Sequence, residues 1–331
     1  MSGQIKTPQE NRFARILSVG SERGNRVVTN EEMCTMIDST PEWIEQRTGI
    51  TERRWIDETQ TPLSMAVGAS RTALERAGIT PEQVSAIVVA TVSHFQQTPA
   101  LACHIAFELG CPDPAAFDLS AACAGFGFGL ATAETLVRGG TSEYVLVVGV
   151  EALSLMLDKS DRSTAFIFSD GAGAVVVGPS ETPGMGPVVW GTDPKATDVI
   201  MTDDWTMTMP KGEFPFLKME GRQVFRWATT FIAEKSAEAI AAAGLTPDQL
   251  DVFIPHQANN RITDSMLRHL KLPENVVVSR DICTMGNSSA ASIPVAMDAL
   301  LEQGQAKSGD TALVIGFGAG LSFAGQVITL P

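Results

Sequence analysis

Two kinds of apolar patterning alternate along the chain. Short unbroken runs, Ala86–Val92 and Tyr144–Val150 foremost, have the length and β-branched content of strands, and their lack of polar alternation predicts burial on both faces. Pro114–Leu119 reads as another short strand, followed by a small-residue turn and a helical pattern through Leu130, Ala133, Leu136 and Val137. Helical spacing also marks Met65–Arg76 and Val224–Ala242. Helices alternating with buried strands predict a layered α/β architecture.

The pattern repeats. Ala77-Gly78-Ile79-Thr80-Pro81-Glu82-Gln83-Val84 recurs 166 positions later as Ala243-Gly244-Leu245-Thr246-Pro247-Asp248-Gln249-Leu250. Each copy follows a predicted helix and leads into a predicted strand, Ala86–Ala90 and then Asp251–Pro255. Ala-Gly closes the helix and Thr-Pro opens the next turn. Ser120-Ala121-Ala122-Cys123 matches Ser289-Ala290-Ala291-Ser292 at an offset of 169, and Tyr144–Gly149 matches Thr311–Gly316 at 167. Three echoes in order predict two copies of one α/β unit, divided as residues 1–180 and 181–331. On this alignment Ser292 stands opposite Cys123, keeping a small residue without the thiol.

Composition narrows the function. No apolar run approaches the roughly 18 residues that span a bilayer, and Met1–Arg15 is polar and mixed in charge, with no signal-peptide segment. The 5 cysteines, Cys34, Cys103, Cys111, Cys123 and Cys283, form no C-x-x-C pair. They point to a reducing, cytoplasmic setting without disulfides or a zinc site. A net charge of −14 argues against nucleic-acid binding.

Candidate chemistry gathers at strand ends. Cys123 is expected where a strand turns into a helix, and the free N–H groups and positive dipole end there favour a nucleophilic thiolate. His256 closes the strand Asp251–Pro255, and Asn287 precedes the second-copy helix. Strand ends are where α/β folds collect ligands. Each residue also has an ordinary alternative: Cys123 as packing, His256 as a hydrogen-bonded strand end, Asn287 as an N-cap. Gly316-Phe317-Gly318-Ala319-Gly320-Leu321-Ser322 can present N–H groups to an oxyanion. Gly125-Phe126-Gly127-Phe128-Gly129 lacks the spacing of a dinucleotide loop and reads as close packing. Ser169-Asp170-Gly171-Ala172-Gly173 reads as a turn.

Taken in order, Glu42–Ile50, Ser120–Phe126, Asp161-Arg162, Pro255–Asn259, Gly286–Ser292 and the closing Gly-rich turn resemble the thiolase superfamily. Within it they are most similar to the β-ketoacyl-acyl-carrier-protein synthase III condensing enzymes, from about Arg15 to Pro331. The resemblance implies a five-layered αβαβα sandwich of two similar halves, usually a homodimer. It also implies the initiating condensation of fatty-acid synthesis, from acyl-CoA and malonyl-acyl carrier protein. Cys123 would carry the acyl group, and His256 and Asn287 would stabilise the enolate formed as carbon dioxide leaves. The backbone N–H groups of Cys123 and Ala319 would form the oxyanion hole; Ala319 stands where the family usually has Gly, and the donor survives that change. Trp43, Arg47, Arg162 and Asn259 would hold CoA, and Thr98, Leu153 and Phe168 would line the acyl pocket, with room for branched primers at Thr98. Acidic carrier protein would dock on Arg261, Arg268, Lys271, Arg222 and Arg226. No metal or redox cofactor is implied. A thiolase would need a second catalytic Cys, and Cys283 lacks its Cys-Gly-x-Gly surroundings. A plant-type polyketide synthase would carry Pro at Ala319, and a non-catalytic partner subunit would lack Cys123. A priming synthase or acyltransferase of a secondary-metabolite pathway stays open as the alternative.

Overall fold

The computed structural model describes Thr7, Pro8, Glu10 and Phe13–Pro331, so most of the polar stretch Met1–Arg15 lies outside the described residues. Ten strands build two five-stranded sheets. The first holds β1 (Phe13–Arg23), β2 (Val84–Ala90), β3 (Ala115–Leu119), β4 (Tyr144–Ala152) and β5 (Asp170–Ser180), in the order β1-β5-β4-β2-β3. The second holds β6 (Val189–Thr192), β7 (Val252–Pro255), β8 (Val277–Val278), β9 (Thr311–Gly318) and β10 (Ser322–Thr329), in the order β8-β7-β9-β10-β6. Read from opposite edges the two orders are one topology, and the pairing senses agree strand for strand: β2 is parallel to β3 and β4 as β7 is to β8 and β9, with the remaining pairs antiparallel.

Six helices complete the layers: α1 (Pro62–Ala77), α2 (Leu101–Leu109), α3 (Gly125–Arg138), α4 (Ala233–Ala242), α5 (Asn260–Leu270) and α6 (Ser292–Glu302). Ile87, Val89, Leu146 and Val148 pack under α1 and α2, while Ala86, Val88, Val145 and Val147 face α3. The central cluster adds α6 and the inner face of the second sheet, Val252, Ile254, Ala312 and Val314. Phe253, Leu313 and Ile315 point the other way, under α4 and α5. The unbroken apolar runs are thus strands covered on both sides, and the molecule is an αβαβα sandwich of the thiolase type.

The repeated Ala-Gly-x-Thr-Pro motif has a physical job. Gly78 and Gly244 adopt left-handed conformations, φ 66° and 75°, beyond the helix ends. In each copy the Thr backbone N–H then donates to the Gln three residues on, Thr80 to Gln83 and Thr246 to Gln249, both at 2.9 Å. This closes a one-turn 3-10 helix that launches β2 or β7.

Three expectations are corrected. The helix read over Val224–Ala242 is interrupted by a π turn at Ala228–Ile232. Ser169–Gly173 is no turn: Asp170 begins β5, and both Ser169 and Asp170 are fully buried. Most consequentially, the halves correspond element for element at an offset of 167 through the turn that holds Cys123. The 3-10 turn Ala122–Ala124 corresponds to Ser289–Ala291, and the left-handed residue opening each is Ala122 (φ 45°) or Ser289 (φ 49°). Cys123 therefore stands opposite Ala290, and Ser292 opposite Gly125. Short-string similarity pulled the alignment two positions away from the backbone match.

Candidate active site

The two turns meet where the sheets end. Cys123 lies in the 3-10 turn before α3, and the second-half turn packs against it. The end of β9 covers Cys123 closely. A Cβ on Gly318 would fall 2.7 Å from Cys123 Cβ and 2.8 Å from its Sγ, so any side chain there would invade the thiol's space. The backbone N–H groups of Cys123 and Ala319 both act on the sulfur, as does the Ser289 hydroxyl. The helix-start expectation of a ready thiolate does not hold. Burial, aided by the Glu151 carboxylate, pushes the thiol up to about 11 and outweighs those donors.

His256 follows β7 and is 2% exposed. Its backbone N–H donates to Ile315 O at 2.8 Å, and its ring stands edge-on to Phe317. Nδ1 lies 2.7 Å from Ser292 Oγ, which also accepts the Gln257 N–H at 3.3 Å. Ser292 Oγ accepts that one N–H and keeps its own proton, so it can donate to Nδ1 in the tautomer that carries the ring proton on Nε2, the nitrogen left to face a substrate. Burial pushes the His256 pKa down to about 3, so the ring is a neutral donor at physiological pH.

Asn287 is not a helix cap. Its backbone is pinned between Ile167 and Ser169 by two bonds of 2.9 Å, and its Oδ1 accepts the Ser289 N–H at 2.9 Å, leaving Nδ2 free to donate. The capping Asn is Asn259, whose side chain accepts the Arg261 N–H at 2.9 Å and donates to Arg47 O at 3.0 Å.

These groups open on a cleft of about 2140 Å³, which Cys123, His256, Asn287 and Ala319 all line. Trp43 also lines it, with two guanidinium groups over its ring, Arg162 at 4.7 Å and Arg47 at 5.6 Å from the indole centroid. Leu153 and Phe168 line it within, and Arg222, Arg226, Arg261 and Asn259 also border it. Thr98, Arg268 and Lys271 do not: Thr98 is exposed on the loop before α2, Arg268 is exposed in the last turn of α5, and Lys271 is exposed just past its end. Sequence reasoning missed three contributors. Ser292 orients His256, Ser289 joins the thiol to Asn287, and Glu151 ends β4 fully buried behind them. The segment Ile200–Thr206, which lines the cleft from an antiparallel ribbon of Ile200–Thr202 and Leu217–Met219, also carried no sequence signal.

Comparison with known proteins agrees with this geometry. The sequence pattern described as 3-oxoacyl-[acyl-carrier-protein (ACP)] synthase III matches residues 117–194, and the pattern of the corresponding C-terminal region matches residues 240–330. A β-ketoacyl-[acyl-carrier-protein] synthase III of Streptomyces glaucescens is 54% identical over 99% of both chains. The crystal structure of the priming β-ketosynthase from the R1128 polyketide biosynthetic pathway superposes with a TM-score of 0.97, at 48% identity and 99% coverage of both chains. That of 3-oxoacyl-[acyl-carrier-protein] synthase III from Aquifex aeolicus VF5 gives 0.90, at 34% identity, covering 96% of this chain and 99% of that one.

Proposed function

Because the chain belongs to the 3-oxoacyl-[acyl-carrier-protein] synthase III family, we propose that Cys123, His256 and Asn287 carry out its condensation. The enzyme is an acyltransferase of the decarboxylating condensing class. Acyl-CoA and malonyl-acyl carrier protein give 3-oxoacyl-acyl carrier protein, CoA and carbon dioxide, the first condensation of fatty-acid synthesis. Cys123 Sγ attacks the acyl-CoA carbonyl, the N–H groups of Cys123 and Ala319 take up the oxyanion, and CoA leaves as its thiol. Malonyl-carrier protein then places its thioester carbonyl between His256 Nε2–H and Asn287 Nδ2–H. These donors stabilise the enolate as carbon dioxide departs, and its carbon attacks the acyl-Cys. A neutral imidazole suits this task, since it gives a hydrogen bond without surrendering its proton. The observation that supports the reading most is the convergence of Cys123, His256 and Asn287 on one cleft, with two backbone donors acting on the sulfur.

CoA enters over Trp43, where Arg162, stacked on the indole at 4.7 Å, swings aside to admit the adenine, with Arg47 and Asn259 along the arm. Leu153 and Phe168 receive the acyl group. Carrier protein, being acidic, approaches Arg222, Arg226 and Arg261 at the mouth, with Arg268 and Lys271 extending the basic stripe. The reaction needs no metal or redox cofactor, because the thioesters are electrophiles that hydrogen bonds alone activate. A second copy pairs along β3, an edge strand carrying part-exposed Phe117 and packed on α2, whose Phe107 is 82% exposed. A homodimer on that edge would also bring Thr98, on the loop before α2, toward an acyl pocket. These substrates place the enzyme in the cytoplasm; no helix among the described residues is long and apolar enough to cross a membrane.

The test is intact mass after exposure to a panel of acyl-CoAs, branched primers included, followed by malonyl-carrier protein and product identification. The expected result is an acyl adduct on Cys123 that is absent from Cys123→Ser, then a 3-oxoacyl product. No adduct on the wild type, or one that persists in Cys123→Ser, overturns the mechanism. The likeness to a priming ketosynthase favours a second reading, in which the same chemistry starts a polyketide. Preference for a polyketide over a fatty-acid carrier protein distinguishes it.

A further inference from the structure

Glu151 is the buried ionisable group beside the nucleophile that the condensation leaves unused. It is 0% exposed. Its Oε2 accepts Ser93 Oγ at 2.7 Å, the Val92 N–H at 3.2 Å and Thr91 Oγ1 at 3.4 Å. Its Oε1 accepts Ser289 Oγ at 3.2 Å. No cation is among the groups that act on it. A buried carboxylate without a countercharge is costly, so its retention beside the thiol calls for a use. Ser289 connects the two: its hydroxyl proton goes to Glu151 Oε1 at 3.2 Å, the same hydroxyl influences the Cys123 sulfur and can serve it instead, and its turn, opened by a left-handed φ of 49°, packs against the Cys123 turn.

Acylation must remove a proton from Cys123. His256 is a poor acceptor, since burial keeps its ring neutral down to about pH 3 and Nε2 already carries the proton. Burial has the opposite effect on Glu151, raising it to about 7 and making its carboxylate far more basic than an exposed one.

We propose that Ser289 and Glu151 form a proton relay that activates Cys123 for acyl transfer. The inference rests on the acyl-Cys reading above. The thiol proton passes to Ser289 Oγ as the Ser289 proton passes to Glu151 Oε1, and the thiolate forms a bond to the acyl carbonyl. Collapse of the tetrahedral intermediate breaks the bond to the CoA sulfur. The relay then runs backward, protonating the leaving thiolate, so Glu151 ends ionised as it began. The titratable groups nearest it along the chain's neighbouring strands are His94, next to Ser93, and Asp170, opposite Ala152 on β5, while the charged groups of α1 and α3, which pack on β4, are Arg71, Glu75, Arg76, Glu134 and Arg138. The Asp170 carboxylate is occupied by Ser154 and the Ile56 N–H.

The experiment measures two rates against pH: single-turnover acylation by acyl-CoA, and alkylation of Cys123 by iodoacetamide, which reads the thiol without any substrate. In the wild type both rise through an inflection near 7 as Glu151 ionises. Glu151→Gln, which keeps the shape and removes the base, slows acylation about 10²-fold and abolishes the inflection. Ser289→Ala does the same, and the double variant is no slower than either single one, as expected for one relay. Decarboxylation of malonyl-carrier protein by Glu151→Gln stays within about twofold of wild type. The relay is overturned by a wild-type alkylation profile that climbs toward the thiol's own pKa without an inflection near 7, a result needing no variant to fold. It is equally overturned by wild-type acylation rates in Glu151→Gln, or by equal loss of decarboxylation. Alkylation showing the inflection, with no acylation by any acyl-CoA, would instead sink the acyl-Cys reading and leave the relay standing.

Discussion

The turns Ala121–Gly125 and Ser288–Ser292 share a backbone and divide the chemistry between them. Each opens with a non-glycine residue in the left-handed region, Ala122 or Ser289, and runs through one 3-10 turn into a central helix. Each is covered by the strand end of the opposite half: a Cβ on Gly316 would fall 3.0 Å from Cys123 O, and one on Gly149 would fall 2.4 Å from Ala290 O. The side chains then diverge. Where the first turn has Gly125 packed on Ala90, with only 2.8 Å from a notional Cβ to the Ala90 methyl, the second has Ser292 bonded to His256 at 2.7 Å. Where the second turn faces Glu151, the first faces Gly318. Duplication supplied two equal frames. One became the seat of Cys123, with no side chain at Gly318 to crowd its sulfur, and the other supplies Ser289 and Ser292, the hydroxyls that bond Glu151 and His256.

Gly318 is the sharpest place to break that division. Its backbone is extended, so conformation permits Ala; the obstacle is the 2.8 Å separation from Sγ. Gly318→Ala should slow acylation by about 10², because a displaced sulfur loses its alignment with the oxyanion donors. It should also destabilise the fold by about 1–3 kcal/mol through overpacking. Single-turnover acylation and urea denaturation check both. Acylation within threefold of wild type would mean that the seat has slack, and that the glycine is there for another reason.

Ser292→Ala tests the opposite turn and should cost less. It removes the donor to Nδ1, worth about 0.5–1.5 kcal/mol, and frees the ring to adopt the other tautomer. Decarboxylation of malonyl-carrier protein should fall about tenfold, while acylation of Cys123 stays within about twofold. An equal fall in both half-reactions would refute the separation of roles between the turns.

The frame was far more legible in the sequence than these roles. Unbroken apolar runs and the repeated Gly-x-Thr-Pro punctuation are enforced by burial and helix termination, which act locally and leave local marks. Cys123, His256 and Asn287, which the fold brings to one cleft, could be singled out because their types are rare or sit at strand and helix ends. The register of the two turns was not, since the feature that aligns them is a left-handed φ at Ala122 and Ser289, and neither is a glycine that would advertise it. The string Ser-Ala-Ala, shared two positions out of step, pointed instead to Ser292 as the counterpart of Cys123. Glu151 was silent for a related reason: a carboxylate closing an apolar run looks like a strand surfacing into solvent, and only the fold places it under Ser93 and Ser289. Thr98, read from the resemblance as an acyl-pocket residue, lies outside the cleft, because which surface a loop residue faces leaves no mark in local patterning.

The smallest expected effect probes the frame itself. A non-glycine residue in the left-handed region costs roughly 1 kcal/mol, and glycine relieves that strain while gaining freedom in the unfolded chain. Ala122→Gly should therefore change stability little, by at most about 1 kcal/mol in favour of the variant. Ser289→Gly relieves the same strain but deletes the hydroxyl that bonds Glu151, and so should be no more stable than wild type and up to about 1 kcal/mol less so. Urea midpoints at constant m-value measure both. The difference between the two variants, rather than either value alone, isolates what the Ser289 hydroxyl contributes, because the backbone term is common to both turns. Equal shifts would mean that the hydroxyl carries no net stability and that its bond to Glu151 matters only for chemistry. A larger loss at Ser289 would show the second turn held in place by the same side chain that connects it to the nucleophile.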